Sequence, residues 1–503
     1  MTNRFVTIAF ATLLLGTTHN FAKTDGSGGG FNDVFGPLFR PGTQLKSSEH
    51  APPHQSDGIH YWNKIACDVT GLDHTPVAPG ENRVFGEQLG PGRAARALAI
   101  VHVSMFEAIN AIVGGYQGYT SLAPIRQHTS IDAAVAQAAH DTLVALYPSQ
   151  QADLDALLAE DLAQIHWTIA KTRGVDVGRR AAAHVLALRA DDGSQHAEPL
   201  LGTDFITSDL PGFWRQDPIS LIPIALGAHW GACQPFVMQT GSQFRVPPPP
   251  PLDSPEYAAS FDEVKRLGGD GMSTPTERTP DQTLAGLFWA YDGTPSLCAP
   301  PRLYNQITMH IANQEGTTGI ELARLLALAN VAMADAAIAV WESKFHYEFW
   351  RPVTGIRESD PGTGPTGAGD GNAATVGDPN FSPLGAPASN LDGPNFTPPF
   401  PAYPSGHAGI GSAFFQIMRR FYGTDDIAFT FISDELDGVT RDNNGDPRPL
   451  APRSFTSLTQ AEVENARSRI YLGIHWSFDA TSGLAQGRAL SDYIFDRAFL
   501  PLE

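Results

Sequence analysis

The run Pro247–Pro251 most constrains this chain, because five consecutive prolines admit neither helix nor central strand. Preceded by GSQFRV, it reads as a stiff polyproline-type connector. Helical periodicity lies on both sides of it. Before it, Leu98, Val101, Met105, Ala108 and Ile109 recur at three- and four-residue spacing, and Ile131–Leu146 follows Ser130 as N-cap. Further helices are expected near 152–166 and 174–190. After it come periodic stretches at 255–266, 279–290 and 302–314, then an Ala/Leu-rich helix over 318–343, with more at 407–422, 459–472 and from 475 onward. β-branched runs bounded by hairpin turns are scarce. The expectation is an all-α fold of two helical bundles: 51–245 for the first, 246–300 as connector and docking segment, and 301–503 for the second. The Gly/Pro/Asp/Asn-rich stretch 359–400 reads as one long loop, a length that usually signals function or disorder.

The leader MTNRFVTIAFATLLLGTTHNFA carries Arg4 before a short apolar stretch, and so 1–22 reads as an export signal, followed by an N-terminal arm over 23–50. No other segment suggests membrane insertion, and an exported, soluble mature protein is expected. Cys67, Cys233 and Cys298 have no metal-ligand spacing; they read as structural, with one disulfide open and no pair selected by the sequence. A formal charge of −20 argues against a nucleic-acid partner. In so acidic a chain, any local cluster of Lys and Arg carries information.

Three motifs concentrate such residues. In the first, Lys344 and Arg351-Pro352 are separated by two helical turns, and one helix carrying both would project them along a single face. Their aromatic neighbours Phe345, Tyr347, Phe349 and Trp350 indicate a packed segment, while His346 should point away from Lys344. In the second, Pro404-Ser405-Gly406-His407 opens an apolar helix. Backbone N–H groups and the positive end of the dipole then face an anion, Ser405 adds a donor, and His407 can exchange a proton. In the third, Arg469 and His475 lie six positions apart, and Gly473 offers a turn that brings them together. Asp479, four residues after His475, can fix its tautomer and raise its basicity. Guanidinium forks from Arg351 and Arg469 suit a tetrahedral oxyanion, with Lys344 as a point charge.

The pattern K-x6-RP, PSGH and SR-x5-H-x3-D resembles the shared signature of class A acid phosphatases, lipid phosphate phosphatases and vanadium-dependent haloperoxidases. The stretches WESKFHYEFWRPVTGIR, FPAYPSGHA and FWAYDGTP look like fungal-type vanadium chloroperoxidases, and RALAIVHVSMFEAINAI resembles the broader haloperoxidase-related group. The likeness implies two helical bundles, with the oxyanion site at one end of the C-terminal bundle, and a vanadate cofactor for which phosphate competes. It gives His475 the axial bond to vanadium, and Lys344, Arg351, Arg469, Ser405 and Gly406 the equatorial oxygens. It makes His407 the acid–base group and Asp292 a carboxylate near the arginines and histidine, where a capping role in its turn is the alternative. Hydrogen peroxide, halide and small organic acceptors are the implied partners.

The same cage can run phosphomonoester hydrolysis through a phosphohistidine on His475. Chain length and the aromatic residues Trp341 and Phe400, matching apolar halide-pocket positions of the chloroperoxidase type, favour halide oxidation, with bromide the easier halide and chloride also open. At the Phe400 position the algal bromoperoxidases have His. A catalytically idle anion-binding scaffold is the third reading, opposed by the presence of both His407 and His475. Oligomeric state stays open.

Overall fold

A computed structural model describes residues 30–42, 57–125 and 128–502. The export-signal reading of 1–22 falls outside these residues, as does much of the 23–50 arm. Fourteen α-helices appear among the described residues: α1 Phe31–Phe35, α2 Gly58–Asp73, α3 Gly90–Val113, α4 Ile131–Leu146, α5 Gln151–Ala163, α6 Thr168–Leu188, α7 Pro255–Leu267, α8 Pro280–Phe288, α9 Pro300–Glu315, α10 Gly319–Tyr347, α11 Pro352–Arg357, α12 Gly406–Tyr422, α13 Leu458–Tyr471 and α14 Ser477–Phe495. Two antiparallel two-stranded ribbons accompany them: Arg40–Pro41 (β1) with Leu391–Asp392 (β2), and Phe429–Phe431 (β3) with Arg453–Phe455 (β4). The chain is all-α, as its periodicity indicates.

The long helix α10 organises the molecule. Almost every residue from Leu322 to Trp341 is buried, and a helix apolar on all faces belongs inside a protein. It packs on α3 from the first half, and on α9, α12 and α14 from the second, so one apolar core runs continuously through both halves. Helices α3 and α10 are long and apolar enough to cross a bilayer, with mean hydropathy of 1.5 and 1.6 over their most apolar windows, but those windows lie 83% and 100% buried within the protein. Buried Asp335, midway along α10, accepts the backbone N–H groups of Phe236, Val237 and Met238 at 2.6–2.9 Å. The irregular 222–246 region is thereby anchored to the core helix. All three cysteines are buried free thiols, and burial pushes each up to about 12.

The 359–400 loop is ordered through its own hydrogen bonds. Ala386 and Phe396 exchange backbone bonds at 2.7 and 3.0 Å, β2 pairs with β1, and the Ser389 hydroxyl donates to Glu435 at 2.6 Å. Its last residues, Phe396 to Phe400, descend to the C-terminal end of α10 and deliver the chain to Pro401–Ser405 at the head of α12.

Candidate active site

Three chain reversals bring the motifs together. The expectation of one helix carrying both Lys344 and Arg351 does not hold. Helix α10 stops at Tyr347 because Glu348 adopts the left-handed conformation, φ 48°, and its N–H caps Lys344 O at 2.8 Å. Arg351 follows in extended backbone at the head of α11. That strand-like stretch is held on both sides, by Trp350 N–H on Gly212 O and by Ala402 N–H on Phe349 O, each 2.9 Å. Lys344 therefore sits on the last turn of a helix, and Arg351 reaches the same place from a separate segment.

The second reversal is the N-terminus of α12. Ser405 caps the helix through its hydroxyl and Ala408 N–H, leaving Gly406 and His407 as the first two helical residues. Their N–H groups have no intrahelical partner, as in every α-helix. A β-carbon at Gly406 would stand 3.4 Å from the Trp341 ring, so glycine keeps the approach to the backbone open. The third reversal is Gly473, φ 73°, between α13 and α14, where a side chain would collide with Gly268 O. It turns His475 back toward Arg469 on the last turn of α13, as the spacing required.

His475 lies just ahead of α14 rather than within it. Its Nδ1 stands 2.8 Å from Asp479 Oδ2, which also accepts the Trp476 N–H at 3.0 Å. The carboxylate thus serves as helix cap and imidazole partner together. With Nδ1–H donated to Asp479, Nε2 carries the lone pair, and Arg351 Nη1 donates to it at 2.9 Å. Burial, reinforced by the charges of Arg351, Lys344 and Arg469, holds His475 well below the usual imidazole range and therefore neutral.

Arg351 is otherwise fixed by Nε–H to Phe400 O and Nη1–H to Ile474 O, both 2.8 Å. Its Nη2 is buried without a partner. Arg469 gives one Nη2–H to Asp292 Oδ1 at 2.6 Å, while its Nε and Nη1 are also buried and unpartnered. Such orphans are rare in folded interiors and cost on the order of 1–3 kcal/mol each. Here three guanidinium nitrogens share one site, and burial lowers Arg351 to about 9. This donor set fits a tetrahedral oxyanion.

Lys344 is fully buried, with no carboxylate in contact among the described residues. Its ammonium donates to Pro401 O, Ala402 O and Pro404 O at 2.6–2.8 Å. All three protons hold the turn that leads into Ser405, while the charge remains in the site. Burial, then Arg351, depresses its proton affinity well below the usual lysine range. His407 Nε2 lies 2.7 Å from Ala290 O and 4.0 Å from Asp292 Oδ1. Burial and Arg469 keep this imidazole neutral, and with Nε2–H donated to Ala290 O its lone pair lies on Nδ1.

Asp292 is part of the same cluster rather than a capping residue. Its backbone is set by Tyr291, φ 45°, whose N–H donates to buried Glu435 at 3.0 Å. Trp341 and Phe400 close the site above the cations. Their ring centroids are 4.9 Å apart, and Trp341 Nε1–H is anchored on Leu226 O at 3.0 Å. Lys344 Nζ lies 5.1 Å from the Phe400 centroid and Arg351 Cζ 4.9 Å. His346 is exposed beside Arg245, outside the site.

Above these residues a cavity of about 60 Å³ opens to the surface. Asp292, Gly406, His407, Arg469 and His475 lie in its floor. Walls from Val34, Phe35, Leu89, Ile222, Ile224 and Leu226 were not read from the sequence. They belong to short or irregular segments that carry no periodic signal.

Fold and cage define an all-helical protein whose site gathers buried cations and two neutral histidines. Residues 324–502 match the VCPO second helical-bundle domain. The chain is 31% identical to the vanadium chloroperoxidase of Curvularia inaequalis over 520 aligned positions, covering 87% of this chain and 81% of that protein. The fold is similar to that of the first bacterial vanadium-dependent iodoperoxidase, with TM-score 0.69 and 21% identity over 92% of this chain and 99% of that one. It is also similar to that of an apo-type bacterial vanadium-dependent chloroperoxidase, with TM-score 0.60 and 17% identity over 81% and 94%. The chain belongs to the vanadium chloroperoxidase family, within the vanadium-dependent haloperoxidases, enzymes that oxidise halides with peroxide.

Proposed function

We propose that the chain oxidises bromide, and chloride as a harder substrate, with hydrogen peroxide, using vanadate held in the cage described above. The observation that carries this reading is that Arg351 Nη2 and Arg469 Nε and Nη1 are all buried with no partner among the described residues, on two arginines that share a site with the Nε2 of His475. An anion with several oxygens satisfies all three, and His475 Nε2 is the one neutral ligand suited to its centre.

Arg351, Arg469 and the N–H groups of Gly406 and His407 would hold the vanadate oxygens, with Lys344 contributing charge. Bound vanadate supplies a Lewis-acid centre that makes peroxide oxygen electrophilic toward halide. Asp479 keeps the His475 proton on Nδ1, so Nε2 stays a donor of electrons throughout. His407 Nδ1 takes the first peroxide proton, and the resulting imidazolium is offset by Asp292 at 4.0 Å. Trp341 and Phe400 offer a weakly hydrated ion an apolar seat beside the cations of Lys344 and Arg351. The cage alone would also admit phosphate; this aromatic seat favours halide over a phosphoester's polar leaving group.

The test is bromination of monochlorodimedone with peroxide and bromide, with and without vanadate, repeated on His475→Ala. Vanadate-dependent turnover that phosphate inhibits and His475→Ala abolishes is the expected result. Phosphomonoesterase turnover without vanadate, and no halogenation with it, would overturn the proposal.

A further inference from the structure

The Arg469 guanidinium has one hydrogen-bond partner among the described residues, the Asp292 carboxylate at 2.6 Å. Asp292 in turn accepts from Arg469 alone, and its Oδ2 is buried without a partner. Neither side chain can therefore orient the other. The direction of the pair has to come from the backbone that carries Asp292.

That backbone is held in an unfavourable shape. Tyr291 has φ 45°, where a side chain crowds its own following carbonyl, and a residue stays there only when its surroundings over-determine it. Here the surroundings are a single helical turn, Asp434–Leu436, and the serine before it. Ser433 Oγ donates to Phe288 O at 2.7 Å, and Asp434 N–H donates to the Tyr291 hydroxyl at 2.8 Å. Glu435 Oε1 accepts the Tyr291 N–H at 3.0 Å. On the far side of Asp292, Gly293 N–H donates to Cys298 O at 2.9 Å.

Glu435 is fully buried, which a carboxylate tolerates only when paired and hydrogen-bonded. Its Oε2 accepts from Arg448 Nη1 and, at 2.6 Å, from the Ser389 hydroxyl. Arg448 Nη1 also reaches Ser389 Oγ at 2.7 Å. Arg448 belongs to the irregular stretch between β3 and β4, and Ser389 to the 359–400 loop. Two irregular segments thus fix one carboxylate oxygen while the other holds the turn. Glu435 does not line the cavity, so it acts on the site only through that turn.

We infer that Glu435, fixed by Arg448 and Ser389, is a positioning residue for the cage: by holding Tyr291 N–H it sets Asp292, and through Asp292 it aims Arg469 at the oxyanion. The inference rests on the oxyanion reading of the cage.

Two double variants separate the acceptor from the buried charge pair. Glu435→Gln with Arg448→Met removes both charges but leaves an amide oxygen for Tyr291 N–H. Glu435→Leu with Arg448→Met removes both charges and the acceptor. Neither leaves an uncompensated ion in the interior, so both should fold. Inorganic phosphate binding to the vanadate-free full-length protein, read by isothermal titration, involves no turnover. The glutamine pair should bind within about twofold of the wild type, and the leucine pair about tenfold more weakly. In an Asp292→Ala background that difference should vanish, because the acceptor then has no carboxylate to place; a packing defect would persist. Should the leucine pair fail to fold, Glu435→Asp keeps the charge and draws the acceptor back, and it should lose phosphate affinity only while Asp292 is present. Equal affinities for the two pairs, wild-type affinity in Glu435→Asp, or a loss that survives Asp292→Ala overturns the inference. A wild type that binds neither phosphate nor orthovanadate overturns the oxyanion reading instead. The crystal structure of the leucine pair then decides: an intact Asp292–Arg469 contact overturns the positioning role, and a broken one supports it.

Discussion

His475 Nδ1 and Asp479 Oδ2 stand 2.8 Å apart in a pair from which water is excluded, with the carboxylate also capping the first turn of α14. Burial raises Asp479 to about 7, so its ionised form depends on the hydrogen bonds it accepts. Asp479→Asn retains an acceptor for Trp476 N–H but no longer dictates the imidazole tautomer. Vanadate affinity is expected to fall about ten- to a hundredfold, with the melting temperature nearly unchanged. Asp479→Ala should show the same affinity loss plus about 1 kcal/mol of destabilisation from the missing cap. Isothermal titration with orthovanadate and thermal melts of both variants check this.

A bound anion should offset the burial cost of the unpartnered guanidinium nitrogens of Arg351 and Arg469. Orthovanadate at a hundred times its dissociation constant should stabilise the protein by about 2.7 kcal/mol, and phosphate should act similarly at higher concentration. Removing the Arg469 donors costs about 1.5–3 kcal/mol of charge-assisted hydrogen bonding, so Arg469→Ala should bind vanadate about ten- to a hundredfold more weakly. Differential scanning calorimetry across a vanadate series reads both effects. An anion-induced shift in Arg469→Ala equal to the wild type's would remove this guanidinium from the cage.

The cage residues were legible because their chemistry needs rare types at fixed spacings, and Gly473 could be assigned a turn from the mismatch between Arg469 and His475. The path between Lys344 and Arg351 was not. Glu348 ends α10 in a left-handed conformation that no glycine or asparagine advertises, and only tertiary bonds to Gly212 and Ala402 hold the following residues extended. Nor was the engagement of Lys344 with three carbonyls legible, since it depends on how Pro401–Pro404 folds back on the helix. Helix limits were read to within a few residues where apolar periodicity is strong. Phe35, Ile222, Ile224 and Phe396 meet only in three dimensions, and nothing in their local sequence marks a cavity wall.

Halide selectivity should depend on the ring pair. Phe400 stacks against Trp341 and lies within 5.1 Å of Lys344 Nζ, so the seat is apolar on one side and cationic on the other. Phe400→His sets a hydrogen-bond acceptor beside Lys344 and Arg351 that competes with the halide for their charge, and chloride, costlier to strip of water than bromide, loses most. The ratio of chloride to bromide turnover is expected to drop roughly tenfold, with bromide kcat/KM changed much less. Steady-state peroxide consumption with each halide measures it; an unchanged ratio would exclude Phe400 from the halide's surroundings.

Acid stability should depend in part on two buried histidines outside the cage. His74 donates to Thr70 O and accepts Gly90 N–H, tying α2 to the start of α3; His102, buried in α3, spans Leu98 O and Asn63. Burial lowers both from 6.5 to about 4. The unfolded chain therefore takes up protons at these positions below about pH 6.5, while the folded protein resists until about pH 4. Their stabilisation is fully present above pH 6.5 and is lost as pH falls toward 4, on the order of 3 kcal/mol each at the limit. Urea midpoints measured from pH 7.5 to 4 should decline through that window, and His74→Gln should make the decline shallower. A variant whose acid decline matches the wild type's would assign the effect to other groups.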